Sequence, residues 1–551
     1  MRFRTILTGI LLTAGAFAQM TSFPKPSYFR ETFQKAQTKV ELKDPVRLKD
    51  FMISGKLELS LKDYLQLVMA NNTAIQIQLL SVEIPKTAIQ TAMGAWDPKA
   101  IASFQTTAAT TLPTNATAAQ NAAATTKSLT QPYSLQYIQT LPTGTSYTAM
   151  FSGSKTEATN SYNNYNPALT ANIRFAVTQP LLQNRGTYFN RLPLMMAQSN
   201  YKISTYALSQ QLLTLVSNAE TAYWNAVSAR ETLRVQEQAR QTQGDFLKYM
   251  QQQLDLGAIS PLDIFNPEAN VAAADLAVSQ ARFSLAQAED ALRQQIAVDL
   301  DPQLRTVPIE LTEPVEVPAT AALAVDRERE VQTALASHPA ISQAVEKMGY
   351  DDLGIQSARN GLLPNLSFSM YYQSNGTGGD YNPGLSTILG SGSASTTVVQ
   401  GGILDALSQM WGFSYPTYNA GLTLTLPIRS KAASAAMAAA VIQKRTDALN
   451  LRNQQETIRL NILTAVTKLE GSKDQLRLAI VQRDLAAKNL DAENQKYQLG
   501  TDINQNVINA QQQLTQAESS VVSNQIGVQL NLMNLYFQTG ELLAQSGIVV
   551  K

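Results

Sequence analysis

Few residues in this chain can do chemistry. The 551 residues include one histidine, His338, and no cysteine. That excludes disulfides, thiolate metal sites, thiol catalysis and cysteine lipidation, and one chain cannot build a histidine-based metal cluster. His338 precedes Pro339 at a helix break and reads as structural. Gly376-Thr377-Gly378-Gly379-Asp380 is glycine-rich but lacks the lysine of a phosphate loop. It reads as an external loop in a charge-free hairpin. Asp351-Asp352 reads as a solvated helix face. Two polar turns remain. Ser260-Pro261-Leu262-Asp263 follows Gly257, and Thr501-Asp502 follows Gly500. In the first, Ser260 suits a helix cap, Pro261 a first helical position, and Asp263 the helix dipole. In the second, Thr501 or Asp502 can cap. No catalytic constellation is present, so the chain is expected not to be an enzyme and to need no cofactor or metal.

Composition narrows the class further. Lys and Arg total 43 and Asp and Glu 42, a net charge of +1, so no basic excess points to nucleic acid. A mean hydropathy of −0.14 excludes a polytopic helical membrane protein. Charged residues are only 15%, against about 25% in ordinary soluble domains. The N-terminus, MRFRTILTGILLTAGAFAQ, has a basic start, a short apolar core and Ala16-Phe17-Ala18 before Gln19. This predicts a secretory signal over 1–18, cleaved before Gln19.

The elements that position the two turns are of two kinds, and each kind occurs twice. Between Lys99 and Arg174 the only charges are Lys127, Lys155 and Glu157; between Arg359 and Arg429 they are Asp380 and Asp405. These stretches alternate with period two: Leu169, Ala171, Ile173, Phe175 and Val177 against Thr170, Asn172, Arg174 and Thr178. Leu366, Phe368, Met370 and Tyr372 repeat the pattern, as do Ala420, Leu422 and Leu424. Strands of about ten such residues are the weak signature of a transmembrane β-barrel. Trp411, Phe413, Tyr415 and Tyr418 suit an aromatic girdle at its lipid interface. The other stretches, Leu194–Leu256 and Arg429–Leu499, contain no proline and one glycine each. At 1.5 Å per residue each predicts a helix of ~95–105 Å. Each turns at a glycine, Gly257 or Gly500, into a second helix.

The halves repeat. Ala74-Ile75 and Pro98 match Ala340-Ile341 and Pro364 at one offset, and Leu256-Gly257 matches Leu499-Gly500. The order helix, strands, long helix, tip, helix therefore occurs twice. The first half holds two or four strands, because Leu141-Pro142-Thr143-Gly144 suits an added hairpin turn. Even six strands fall short of the eight in the smallest outer-membrane barrels, so the chain must associate to close one.

In that order the motifs resemble the outer membrane efflux protein family, the TolC-like channels, over roughly Leu57 to Gly540. Trp96-Asp97-Pro98, Thr178-Gln179-Pro180-Leu181-Leu182, Ala222-Tyr223-Trp224-Asn225 and the two tips carry the resemblance. It implies an α+β membrane protein: long helical hairpins forming a periplasmic helical barrel, and strands contributing to a β-barrel shared by a homotrimer in outer-membrane lipid. It also implies a passive exit duct for efflux or type I secretion, energised by an inner-membrane transporter through a periplasmic adaptor. The expected organisation is a signal (1–18), a polar extension (19–56), a first repeat (57–300, strands over 99–180) and an irregular, proline-rich connector (301–325). A second repeat (326–540, strands over 364–427) and a tail (541–551) follow. At the tip, the resemblance places Asn506 where relatives often carry an acid and Asn509 where they sometimes carry another, a departure from the usual acidic ring. Asp502 and Asp263 then remain as charges, and Tyr497 sits at a position that can close the tube. Tip and gate candidates are thus Tyr497, Gly500, Asp502, Asn506, Asn509, Gly257 and Asp263. The competing class, a trimeric coiled-coil adhesin or a structural envelope protein without transport, calls for unbroken heptads and one terminal anchor, whereas here strands interrupt the helices twice.

Overall fold

The computed structural model describes residues 52–53, 56–112, 125–159, 164–297, 307–315, 325–381 and 398–548. The expected signal, nearly all of the polar extension, and parts of the connector and tail lie outside them. Strands β1 (Met52–Ile53) and β2 (Lys56–Leu59) precede helices α1 (Leu61–Asn71), α2 (Thr73–Ser81) and α3 (Glu83–Met93). Strands β3 (Lys99–Phe104), β4 (Thr107–Thr111), β5 (Thr126–Thr140), β6 (Ser146–Ala158) and β7 (Tyr165–Pro180) follow. The first hairpin is α4 (Gly186–Asp255) with α5 (Phe265–Gln295). Then come β8 (Ile309–Leu311), α6 (Arg327–Ser337), α7 (Pro339–Gly361), β9 (Asn365–Tyr381), α8 (Ile403–Trp411) and β10 (Tyr415–Thr425). The second hairpin is α9 (Lys431–Gln498) with α10 (Asn504–Thr539), and α11 (Leu542–Gln545) closes the series.

The low charge and period-two patterning do produce one sheet. Its order is β10-β9-β7-β6-β5-β3, with β4 continuing β3 along β5, and every pair is antiparallel. Four strand positions thus come from the first half and two from the second. In register, Ala149, Phe175, Tyr372 and Tyr418 share one face, and Met150, Arg174, Gln373 and Thr417 share the other. The first face is apolar, and its Phe175, Leu422 and Tyr418 side chains are exposed. The second carries Ser103, Ser134, Ser152, Asn172 and Asn375 in one cross-strand row.

Three expectations need correcting here. Gly376–Asp380 is not an external loop but the far part of β9. There the short helix α8, which the sequence reading missed, lies on the apolar face. A Cβ on Gly376 would sit 1.9 Å from the Ala406 carbonyl oxygen, and one on Gly378 2.3 Å from that of Gly402. Only glycine permits so close a backbone approach. Ala171, Ala406 and Met410 seal the contact, with Ile173 and Ile403 around them. Secondly, the connector is not wholly irregular. β8 pairs in parallel with β2, because Leu57 and Leu59 alternate with Glu58 just as Ile309 and Leu311 do with Glu310. Thirdly, Asp351 is not solvated. It is 7% exposed and faces Asp447 on α9, whereas Asp352 pairs with Lys444 at the surface.

The helices form a layer. Nearest the sheet, α3 packs on α4, α4 on α7, and α7 on α9; farther away the order is α5, α4, α10 and α9. At 1.5 Å per residue the 70-residue α4 and 68-residue α9 each extend roughly 100 Å. Partway down, α6 covers α9 and α10 with Val331 and Ala334 against Ile462, Val466 and Val528. The Tyr223 hydroxyl donates to the Leu59 carbonyl at 3.1 Å, tying the small sheet to α4. Burial pushes the Glu220 carboxyl up to about 7 in this region, while its Trp224 indole contact opposes the shift. His338 caps α7, its Nδ1 accepting from the Ala340 N–H at 3.2 Å.

Candidate functional site: the helical tips

Each long helix ends in the same way. Gly257 (φ 72°) and Gly500 (φ 70°) take the left-handed conformation that an L side chain strains to reach. The Ala258 N–H then bonds the Gln253 carbonyl, and the Thr501 N–H the Lys496 carbonyl, each closing the last turn. The restarts differ. Ser260 caps the first, accepting from the Leu262 N–H, while Asp263 accepts from the Ser260 N–H at 3.1 Å, a capping box. At the matching position of the second tip stands Ile503, which makes no side-chain cap bond. Neither Thr501 nor Asp502 is therefore the cap residue of α10. Instead Asp502 reaches forward, its Oδ1 accepting from the Ile503 N–H at 2.7 Å and from the Asn506 amide at 2.6 Å. Contact with Glu493, and then these two bonds, hold Asp502 below the usual carboxylate range.

The two tips dock on one another through amides. Asn504 Nδ2 donates to the Asp263 carbonyl oxygen at 3.1 Å, and Gln512 Nε2 to Asn270 Oδ1 at 2.9 Å. Tyr497 packs inward: its ring stands 5.8 Å from Phe246 and its hydroxyl donates to Met250 Sδ at 2.9 Å. Burial pushes its phenol up. Leu490, Val507 and Ala510 complete this small core. Asn506 and Asn509 are exposed on α10, and Asn509 accepts from Gln505 Nε2 at 3.0 Å. The candidates thus gather at one end, but in one chain each is committed to a cap, a bridge or a packed core.

The sequence reading missed an apolar rim. Leu256, Leu262, Phe265, Leu499 and Ile503 are each at least 60% exposed at the tips. The repeated Leu-Gly before each turn was its visible sign. Among the described residues no group of acids and histidine could hold a metal.

With this geometry in view, the outer membrane efflux protein family model matches residues 120–298 and 331–541. The chain belongs to that family. The first matched segment takes in strands β5 to β7 and the first hairpin, and the second runs from within α6 through β9 and β10 to the second hairpin. No curated protein matches the chain at comparable significance. Solved structures share the fold. The CusC channel aligns with a TM-score of 0.60 at 14% identity, covering 92% of this chain and 98% of its own. The Campylobacter jejuni CmeC outer membrane channel aligns at 0.57 and 16%, covering 92% and 90%. VceC of Vibrio cholerae, an outer membrane protein, aligns at 0.58 and 12%, covering 87% and 96%. This family member therefore has the mostly helical fold with a β-sheet domain found in outer-membrane channels. No helix among its described residues is long and apolar enough to cross a membrane.

Proposed function

We propose that this family member is the outer-membrane exit channel of a tripartite efflux or type I secretion system. Three copies close its wall. The observation that carries this reading is that, among the described residues, both sides of the chain carry unpaired strand edges and exposed apolar helix residues. On one side α3 leads straight into β3, whose outer edge is unpaired, and α5 continues below with Leu276 and Phe283 exposed. On the other, the unpaired outer edge of β10 leads into α9, with Ile442, Leu449, Leu478 and Leu485 exposed. Two unlike sides of this kind join head to tail, and a rotation that closes gives a ring. Three copies of the six strand positions give eighteen strands, a barrel class that leaves an aqueous channel. Strands β5, β6, β7, β9 and β10 run 11 to 17 residues, enough for the roughly ten that a tilted membrane crossing needs, while the first position is made by two shorter pieces, β3 and β4, in line along β5.

In such a barrel the apolar face meets outer-membrane lipid and the polar face meets water. The helical layer closes into a tube in the periplasm, with the tips farthest from the membrane. The exposed leucines there suit a periplasmic adaptor, which couples the duct to an inner-membrane transporter. The duct makes and breaks no bonds, so energy comes from the transporter. Single-channel recording of the purified protein in planar bilayers tests this. Discrete conductance steps are expected; a protein that inserts but never conducts, even with its tip bridges removed, refutes the duct.

A further inference from the structure

Arg174 stands apart from every other charge in the sheet. From the Ala168–Gly379 pair to the foot of the sheet, the polar face carries only two charged side chains among the described residues, Arg174 and, at its lower end, Lys99. It carries no carboxylate there. Lys155 and Glu157 lie on the opposite face and pair with each other. Arg174 sits mid-strand, directly between Met150 and Gln373, with its guanidinium carbon 3.8 Å from the centre of the Tyr371 ring. Its buried Nε has no hydrogen-bond partner. Stacking on a ring orients a guanidinium without using its N–H donors. Around it the face offers uncharged groups: Asn172, Gln373, Asn375 and Thr417.

We infer that Arg174 is an anion-binding station on the channel wall, taking carboxylate, phosphate or sulfonate groups of passing cargo. The inference rests on the duct reading, because only a closed barrel turns this face into a lumen. A half-buried, pre-oriented guanidinium with no acidic neighbour keeps its fork of donors for a planar or tetrahedral oxyanion. Asn375 donates to the Tyr415 carbonyl and to Thr417, and Gln373 donates once to Asn375, which leaves the Asn172 amide, the second Gln373 N–H and the Thr417 hydroxyl to hold the remaining oxygens without competing for the charge. One such station per copy places three around the lumen at one level, midway along the strands.

The chain has no cysteine, so introduced thiols are unique labels. Asn172→Cys places a thiol two residues from Arg174 on the same face, and Thr130→Cys places one on that face about 20 Å from Arg174 along the strands. Ile173→Cys points to the other face. Anionic and cationic methanethiosulfonates are applied to the full-length protein in vesicles at low salt. One unit charge at roughly 7 Å in water predicts an anionic-to-cationic rate ratio at Asn172→Cys about fivefold above that at Thr130→Cys. Arg174→Gln should erase the excess and Arg174→Lys should keep most of it. Equal ratios at the two positions in the otherwise native chain overturn the inference, whether or not Arg174→Gln assembles. A ratio that survives Arg174→Gln overturns it too. If Ile173→Cys reacts with these reagents as fast as Asn172→Cys, it is the barrel reading that fails.

Discussion

Asp351 and Asp447 face each other where α7 and α9 descend from the sheet, about 20 Å below the foot of β9. Burial would raise Asp447, but Gln443 at 2.9 Å, Lys347 at 3.0 Å and Asn450 at 3.2 Å hold it down at about 2. Asp351 is pushed up to about 6, first by burial and then by its contact with Asp447. The two carboxyls therefore titrate as a pair. Below pH 4 the unfolded chain holds a proton that folded Asp447 has released, so stability rises with pH between about 2 and 4. Between about 4 and 6 the folded chain holds a proton on Asp351 that the unfolded chain has lost, so stability falls as pH rises. A rise from 3.8 to about 6 is about two units, or about 3 kcal/mol per chain at neutral pH, as an upper bound. Asp351→Asn removes this penalty and supplies an amide donor to Asp447. With relaxation, about 1–2 kcal/mol of stabilisation is expected at pH 7 and almost none at pH 4. The assay is the apparent melting temperature of the detergent-solubilised protein from pH 3.5 to 8. Glu220, also pushed up, makes both chains lose stability over this range, but the native chain should lose several degrees more between pH 4 and 7 than Asp351→Asn does. A variant that melts lower than the native chain at pH 7, or that falls between pH 4 and 7 as steeply as the native chain, excludes Asp351 as the source of the loss.

Four further outcomes follow from the same geometry. Cysteines at Ala258 and Thr501 should react with a thiol reagent confined to the periplasm and stay silent to one confined outside the cell; external labelling would invert the orientation. Asn506→Asp replaces the donor to Asp502 with a second carboxylate, so it should increase cation preference and divalent block at pH 8 and lose both near pH 4; unchanged reversal potentials would place the constriction elsewhere. Leu256→Asp with Leu499→Asp, both exposed, should leave the melting temperature within about 1 °C yet abolish cargo export, and wild-type export would remove these leucines from the docking surface. Gly376→Val drives a side chain into the Ala406 carbonyl and should dislodge α8, seen as faster proteolysis near Leu404; unchanged cleavage would mean the helix is not held by that contact.

The strands, long helices and tips were legible because their signals are local. Period-two alternation over Leu169–Val177, proline-free runs and Leu-Gly turns each fix a backbone state without help from distant residues. The helix α8 was not legible: nine residues after a glycine-rich strand look like loop until Gly376 and Gly378 are seen to admit a backbone. Asp351 was misread for the same reason. Its environment is set by Asp447, 96 positions away, and no spacing within α7 reveals that partner. At the tips, the turn chemistry of Gly257, Ser260 and Asp263 could be read from sequence. The tasks of Tyr497, bound to Met250, and of Asn504, bound to the Asp263 carbonyl, depend on the second hairpin docking on the first.

In the proposed channel a single chain builds part of a wall that only copies of itself can complete. The direct measurement is the detergent-corrected mass of the purified full-length protein by light scattering. Three chains per particle, stable on dilution and unaffected by moderate salt, is the predicted result, since the unpaired β3 and β10 edges cannot be left bare in lipid. A monodisperse single chain that remains folded and detergent-soluble would contradict it.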